Sequence, residues 1–325
     1  MKTVVCCGAA TLDTLFRVKA LPTGPGKLLP EVMLEVAHGM ATSAATAVAR
    51  LGGRAVLFSR VGADAAGERF VAEIEAAGVD CRHVRRVTGA RTPVATVLLD
   101  GEGERLIVPW YDPALGSDPG WLPIDEVARA DAVLTDVRWP EGAAAVLDAA
   151  RAVGIPAVLD ADVGPSDLVT GLAARASHAV FSEPAALAVT GTRDVAAAVM
   201  ALAGRLDGFV AVTAGPLGCA WWEGGRVEWL APPAVETVDT LAAGDVFHGA
   251  FALALAEGAG IRDAIGFANT AAALKCRRFG GRLGAPDRTE VEAALAAGVR
   301  GAYTGAGEEP DDERTGIPPQ RQAGA

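Results

Sequence analysis

The feature that most restricts the fold is a rhythm between residues 132 and 213. Short apolar runs at Ala132–Asp136, Ala157–Asp160, Ala179–Phe181 and Val210–Thr213 alternate with helical segments at 141–153, 167–175 and 184–206. Runs this short and continuously apolar suit strands buried on both faces, and the segments between them suit crossover helices. The pattern predicts an α/β fold with a parallel sheet and right-handed connections.

The rest of the chain extends the pattern. Val4–Cys7 reads as a first central strand leading into Gly8-Ala9-Ala10, Met40–Leu51 as an Ala-rich helix closed by Gly52-Gly53, Ala55–Ser59 as the next strand, and Asp64–Ala77 as a helix with acidic caps. Helices follow the 236–256 stretch at 261–278 and near 288–297. With 325 residues, 51% hydrophobic but only 5% aromatic, and 39 Gly, one large domain of closely layered helices and strands is expected over residues 1–298. Beyond Gly298 the sequence turns to Gly, Pro, Glu, Asp and Gln, so 299–325 is expected to be disordered.

Two segments break the rhythm. Residues 14–37 lack a helical period and contain Leu21-Pro22-Thr23-Gly24-Pro25-Gly26-Lys27, while Thr92–Leu99 and Glu104–Trp110 flank the turn Asp100-Gly101-Glu102-Gly103. Together they are expected to form a small β layer over the site, a lid that excludes water during transfer.

Composition excludes several functions. A net charge of −11 argues against nucleic acid or an anionic membrane as partner. No uncharged run reaches the roughly 20 apolar residues of a membrane helix, and the run from Thr3 to Leu12 is stopped by Asp13 and Arg17, so it reads as a strand. Five cysteines with no CxxC pair read as free thiols in a reducing cytoplasm. The four histidines have no metal-ligand spacing. Gly26-Lys27 lacks the neighbours of a P-loop, and there is no GxGxxG after a strand and no G-x-S-x-G elbow.

Chemistry concentrates at residues 236–256, where Glu-Thr-Val-Asp-Thr-Leu-Ala-Ala-Gly-Asp opens an Ala-rich helix. The first amides of a helix are unpaired and carry partial positive charge, so the bare Ala242-Ala243-Gly244 turn would let a phosphate approach them. Asp245, in the first turn, is then placed to take a proton from a hydroxyl attacking the terminal phosphate of ATP. A plain helix start with Asp239 or Asp245 as capping acid explains the same residues.

Other candidates sit where strands end, where ligands of open α/β sheets collect. Asp13 is a candidate for holding substrate hydroxyls or a solvated loop acid. Arg138 is an anion ligand or the partner of Asp136 or Asp131 in a salt bridge. Asp160, Asp162 and Ser182-Glu183 could hold Mg2+ through water or cap the following helices. Thr213-Ala214-Gly215-Pro216-Leu217-Gly218 could admit a nucleotide or form a tight hairpin. Lys27 is an anion ligand or a solvated charge, and His248 reads as packing.

Asp239-Thr240-Leu241-Ala242-Ala243-Gly244-Asp245 resembles the PfkB, or ribokinase-like, family of carbohydrate kinases. Gly8 with Asp13, Ala49-Arg50-Leu51-Gly52, Arg60-Val61-Gly62-Ala63-Asp64 and Thr213-Ala214-Gly215 fall in that family's order, so the resemblance covers about residues 3–297. It implies a three-layer α/β/α fold with a mostly parallel central sheet and a small β lid that often clasps a second copy as a homodimer. It also implies phosphoryl transfer from Mg-ATP to a sugar hydroxyl. By carry-over, Asp245 would be the base, the amides of Ala242, Ala243 and Gly244 the anion hole, and Asp13 a substrate ligand. Thr213, Gly215, Gly218 and the helix holding Asn269 would border the nucleotide.

The sequence departs from the family at two places. Its Gly-Gly and Asn at the first signature helix become His38-Gly39 and Ser43, which stand at the substrate positions, and its Asn-x-x-Glu becomes Ser182-Glu183-Pro184-Ala185, leaving Glu183 as the candidate metal residue. Within the family, Leu21-Pro22-Thr23 with Gly26-Lys27, Asp136-Val137-Arg138-Trp139, Phe181-Ser182-Glu183-Pro184, Gly244–Ala250 and Ala273-Leu274-Lys275-Cys276 most resemble bacterial sulfofructose kinases. That resemblance implies Lys27 and Arg138 around a sulfonate and transfer to the 1-hydroxyl of 6-deoxy-6-sulfofructose, with Pro109 where a polar Asn is expected. Ribose, a nucleoside, fructose or 2-keto-3-deoxygluconate are the alternative acceptors. A catalytically silent sugar-binding protein is the reading from a different class.

Overall fold

The computed structural model describes residues 1–101 and 103–298, so the expected tail at 299–325 lies outside the described residues. Val4, Val5, Cys6 and Cys7 of β1 (Thr3–Cys7) are all buried, as a strand covered on both faces requires. On one side β1 pairs in parallel with β4 (Arg54–Gly62), which pairs with the edge strand β5 (Val84–Val87). On the other it pairs with β8 (Ala132–Asp136), followed in parallel by β9 (Ala157–Ala161), β10 (His178–Ser182) and β11 (Phe209–Thr213). Two antiparallel strands, β12 (Cys219–Glu223) and β13 (Arg226–Leu230), complete the nine-stranded sheet.

Alternation along β1 sends Val4 and Cys6 into one core and Val5 and Cys7 into the other. The first core is covered by α1 (Met40–Arg50), α2 (Ala65–Ala76), α8 (Ala243–Ala256), α9 (Ile261–Cys276) and α10 (Arg288–Gly298). The second is covered by α3 (Ile124–Val127), α4 (Pro140–Val153), α5 (Ser166–Ala173), α6 (Glu183–Thr190) and α7 (Val195–Ala203). The layered α/β/α architecture expected from the sequence is therefore the one formed. The helical segment expected at 184–206 is in fact two helices, because Gly191 adopts a left-handed conformation at the end of α6 and Asp194 caps the start of α7. No single helix among the described residues is long and apolar enough to cross a membrane.

A second sheet of four strands runs in the order β3 (Val32–His38), β2 (Thr11–Arg17), β6 (Val94–Leu99), β7 (Arg105–Trp110), with β2 and β6 parallel and the outer pairs antiparallel. One face buries Leu15, Val36, Ala95, Val97 and Leu99 together with Leu241, from the turn before α8. Asp13 is a residue of β2, not of the loop after β1, and it is buried. The sequence hid this because Thr11–Arg17 alternates and carries an acid at an inward position.

Candidate active site

The junction of β1, α1 and β8 is built around a carboxylate. Asp136, fully buried, accepts the amides of Ala9 at 2.8 Å and Ala41 at 3.0 Å on Oδ2 and that of Arg138 at 2.8 Å on Oδ1. Ala41 lies in the first turn of α1, where a negative charge is favoured. A Cβ on residue 8 would collide with this carboxylate, and one on residue 39 with the Ala9 carbonyl, which accounts for Gly8 and Gly39. Gly39 is thus required by the backbone approach itself, which brings α1 and its Ser43 over the strand ends.

Asp239 shapes the turn before α8. Also fully buried, it accepts the Leu241 amide at 2.7 Å on Oδ1 and the amides of Gly280 and Gly281, each at 2.9 Å, on Oδ2. Ala242 then takes φ 63°, the one positive φ outside glycine among the described residues, a conformation that costs an alanine about 1–2 kcal/mol. The turn closes with the Ala243 amide on the Thr240 carbonyl at 3.2 Å and the Val246 amide on the Ala242 carbonyl at 2.9 Å. The expected trio of open amides is therefore altered: Ala243 spends its amide inside the turn, while Ala242 and Gly244, and also Asp245, donate theirs to no described residue. Among the described residues a Cβ at Gly244 would meet nothing within 4 Å beyond its own helix, so the approach to these amides is open.

Asp245 follows, with its carboxyl pushed well above the usual range by burial and by the nearby charges of Asp160, Asp162 and Asp136. The Ser43 hydroxyl on α1 opposes this rise, although its Oγ lacks a fully formed hydrogen bond. Close packing of α8 on α1 makes the encounter possible, since Gly249 sits so near the Ala44 carbonyl that a Cβ would collide with it. Asp13 is 4% exposed, burial lifts its carboxyl to about 6, and among the described residues its Oδ1 is without a hydrogen-bond partner. Its neighbour is His38, with Nδ1 3.4 Å from Asp13 Oδ2.

The phenol of Tyr111, just after β7 and still 38% exposed, has its pKa raised by partial desolvation and by the nearby Asp136, Asp13 and Asp245, with the Arg138 guanidinium acting against them. Tyr111 thus joins the predicted site residues, and nothing in its Pro-rich surroundings signalled it. His248 is held by the Gly244 carbonyl at 2.7 Å from Nδ1 and the Val180 carbonyl at 3.2 Å from Nε2, and its Nδ1 also lies 3.4 Å from Asp160 Oδ2.

Arg138 pairs with neither Asp136 nor Asp131. Its Nη2 lies 2.6 Å from Asp162 Oδ2 and its Nη1 donates to the Val163 carbonyl at 2.9 Å, while Asp131 pairs with Lys2. The guanidinium remains about a third exposed at this strand end. Lys27 lies in the exposed loop between β2 and β3 and makes no ion pair or side-chain hydrogen bond among the described residues. Glu183 opens α6, half-buried, next to Ser182, whose Oγ donates to Asp162 Oδ1 at 3.0 Å. Among the described residues no three acids, histidines or cysteines converge as a metal cage.

Residues 213–218 form the expected tight connection, with the Ala214 amide on the Gly218 carbonyl at 2.7 Å. Gly218 is required by the protein itself, because a Cβ there would collide with the Leu230 carbonyl, whereas Gly215 faces open space. Thr213 Oγ1 donates to the Phe181 carbonyl at 3.3 Å. Asn269, on α9, gives its amide to the Leu230 carbonyl at 2.7 Å, tying that helix to β13.

Comparison with known proteins places this geometry in context. Residues 1–288 match the pfkB family carbohydrate kinase profile. The chain is 27% identical over 302 residues to a ribokinase of Bacillus subtilis, covering 91% of this chain and all of that one. A solved structure described as a putative ribokinase from Agrobacterium tumefaciens superposes with a TM-score of 0.89 at 50% identity, covering 92% of this chain and 99% of that one. Arabidopsis thaliana ribokinase complexed with ribose and ATP superposes with a TM-score of 0.78 at 26% identity, covering 90% and 98%.

Proposed function

The chain belongs to the pfkB family of carbohydrate kinases, phosphotransferases whose acceptor is an alcohol group, and on that premise we propose that it moves the γ-phosphate of Mg-ATP onto a sugar hydroxyl lying between Asp13 and Asp245. The observation that carries this reading is a pair of buried oxygens, Asp13 Oδ1 and Ser43 Oγ, without a hydrogen-bond partner among the described residues, together with an acid of raised pKa at a helix start with open amides. A buried polar atom left unpaired costs about 1–3 kcal/mol, and sugar hydroxyls would relieve both.

In the reaction the acceptor oxygen attacks the γ-phosphorus, an O–P bond forms, and the bond to the ADP leaving oxygen breaks. Asp245 takes the hydroxyl proton; its raised pKa makes it a stronger base than an exposed carboxylate. The amides of Ala242 and Gly244, with that of Asp245, would receive the charge gathering on the transferring group, and the partial positive charge of the α8 start adds to them. The nucleotide would lie along the open Gly215 face near Thr213 and Gly218, with Asn269 fixing the strand behind it. Mg2+ arriving with the nucleotide would screen its phosphates. Such an ion keeps several waters and needs only one or two carboxylates, which Asp162 and Glu183, on either side of Ser182, would supply.

The acceptor proposed is an anionic ketose, 6-deoxy-6-sulfofructose phosphorylated at its 1-hydroxyl. Support comes from two cations, Lys27 in the exposed loop between β2 and β3, with no ion pair among the described residues, and the partly exposed Arg138 at the end of β8. Ribose is the second reading. The Arg138–Asp162 pair favours it, since the guanidinium is already neutralised, as does the likeness to the ribokinases of Bacillus subtilis and Arabidopsis thaliana.

The second sheet would close over the sugar, and its outer face exposes Met33, Leu106, Val108 and Trp110. An apolar face of that kind supports burial against the same sheet of a second copy, a homodimer. The five free cysteines fit a reducing cytoplasm. ATP consumption across sulfofructose, fructose 6-phosphate, ribose and other neutral sugars tests the proposal. Preferential use of sulfofructose supports the first acceptor and preferential use of ribose the second. No ATP use on any sugar would leave a silent binding protein.

A further inference from the structure

Lys275 lies in the last turn of α9 with none of its side chain reaching solvent. Stripping water from an ammonium is expensive unless oxygens replace it, and here both come from one residue. Nζ donates to the Asp239 main-chain oxygen at 2.6 Å and lies 3.2 Å from Asp239 Oδ2, itself completely buried. The amides of Val238 and Asp239 reach the Cys276 carbonyl at 2.8 and 3.1 Å, so the strand of chain entering the turn is docked on the end of α9 that carries this lysine.

Asp239 is the residue from which the phosphate-facing turn hangs, through its bond to the Leu241 amide. Left alone, its carboxylate would put a negative charge beneath amides proposed to receive a more negative ligand. The ammonium cancels that charge while leaving both carboxylate oxygens on their three amides. It also fixes the direction of the Asp239 carbonyl, and with it the path of the chain into the left-handed Ala242. Its field reaches Asp245 as well, since the Asp245 charge is among those that act on Lys275.

We propose that Lys275 is a positioning residue for phosphoryl transfer: a tethered internal cation that neutralises Asp239, sets the Asp239–Gly244 turn and so keeps its amides aimed at the transferring phosphate. This rests on the kinase reading above. Because Nζ occupies the place that a small cation would need among these oxygens, the enzyme turns over without an added monovalent ion.

The test uses the full chain with whichever sugar the wild type phosphorylates; absence of any wild-type turnover overturns the kinase reading itself. In wild type, replacing potassium and sodium salts by tetramethylammonium chloride leaves kcat unchanged. Lys275→Ala lowers kcat by at least about 100-fold, the scale of losing an oxyanion donor, with the KM for sugar little changed. Ammonium or potassium, small enough to enter the space left, restores part of kcat, and tetramethylammonium at equal ionic strength does not. Should that variant not fold, Lys275→Met with Asp239→Asn decides, because removing both charges recovers a fold and a kcat above that of Lys275→Met alone. Wild-type kcat in Lys275→Ala, rescue by tetramethylammonium as good as by ammonium, or a double variant no better than the single one would overturn the proposal.

Discussion

His38 presents Nδ1 to Asp13 Oδ2 at 3.4 Å while its Nε2 accepts the Arg282 amide at 3.4 Å. An accepting Nε2 places the proton on Nδ1, facing Asp13. Burial, helped by the charges of Arg282 and Lys275, lowers the His38 pKa to about 3, so the imidazole is neutral and gives Asp13 no counter-charge.

Asp13 consequently costs stability when it ionises. Its folded pKa of about 6 lies above the ordinary 3.8, so the folded state holds more protons between these values and loses stability as pH rises through them. The full loss, about 3 kcal/mol, is in place above pH 6. Asp13→Asn should therefore melt at a higher temperature than wild type at pH 8 and at a similar one at pH 4; the opposing titration of His38 is shared and cancels in the comparison. Its KM for sugar should rise about 10- to 100-fold, the cost of a lost charge-assisted hydrogen bond. Steady-state kinetics and thermal melts check both halves, and an unchanged KM contradicts the assignment of Asp13 to the sugar.

Asp245 must be ionised to accept a proton, and after burial Asp160 contributes most to its raised pKa. The acidic limb of kcat/KM should lie above the ordinary carboxylate range and move to lower pH in Asp160→Asn, since removing one of two interacting acids eases ionisation of the other. A limb that stays in place means that another group controls it.

Two glycines of α8 separate function from packing. A Cβ at Gly249 would collide with the Ala44 carbonyl, so Gly249→Ala should cost about 1–3 kcal/mol in denaturant unfolding. A Cβ at Gly244 meets nothing within 4 Å among the described residues beyond its own helix. Gly244→Ala should leave stability equal or higher by about 0.5–1 kcal/mol, yet lower kcat because the methyl stands over the open amides. Full activity in Gly244→Ala would show that phosphate does not approach there.

Arg138→Ala frees Asp162 from its 2.6 Å partner and removes a cation from the rim. For an anionic ketose KM should rise about 10-fold or more, the range for charged hydrogen bonds, and for a neutral sugar far less. Equal effects on both classes assign Arg138 to the Asp162 pair and point to ribose.

What could be read without coordinates follows burial. Strands covered on both faces, such as β1 and β8 to β11, must be apolar throughout and declared themselves. The edge strands did not: Val84–Val87 carries the exposed Arg85 and Arg86, and Arg226–Leu230 alternates with charged residues. The turn at Asp239–Asp245 was legible because its residues are contiguous. Its supports were not, because Lys275, Gly280 and Gly281 are 36 to 42 residues away and look like an ordinary helix end. Arg138 could be seen as a charge at a strand end, but its choice of Asp162 over Asp136 depends on three amides having already claimed Asp136.

The most direct measurement is turnover and binding of Asp245→Asn, which keeps the shape of the side chain and removes the base. Turnover with ATP should fall about 100- to 10,000-fold, the usual span for a general base, while calorimetry still detects sugar and nucleotide with near wild-type affinity. Near-normal turnover in this variant would contradict the account at its centre.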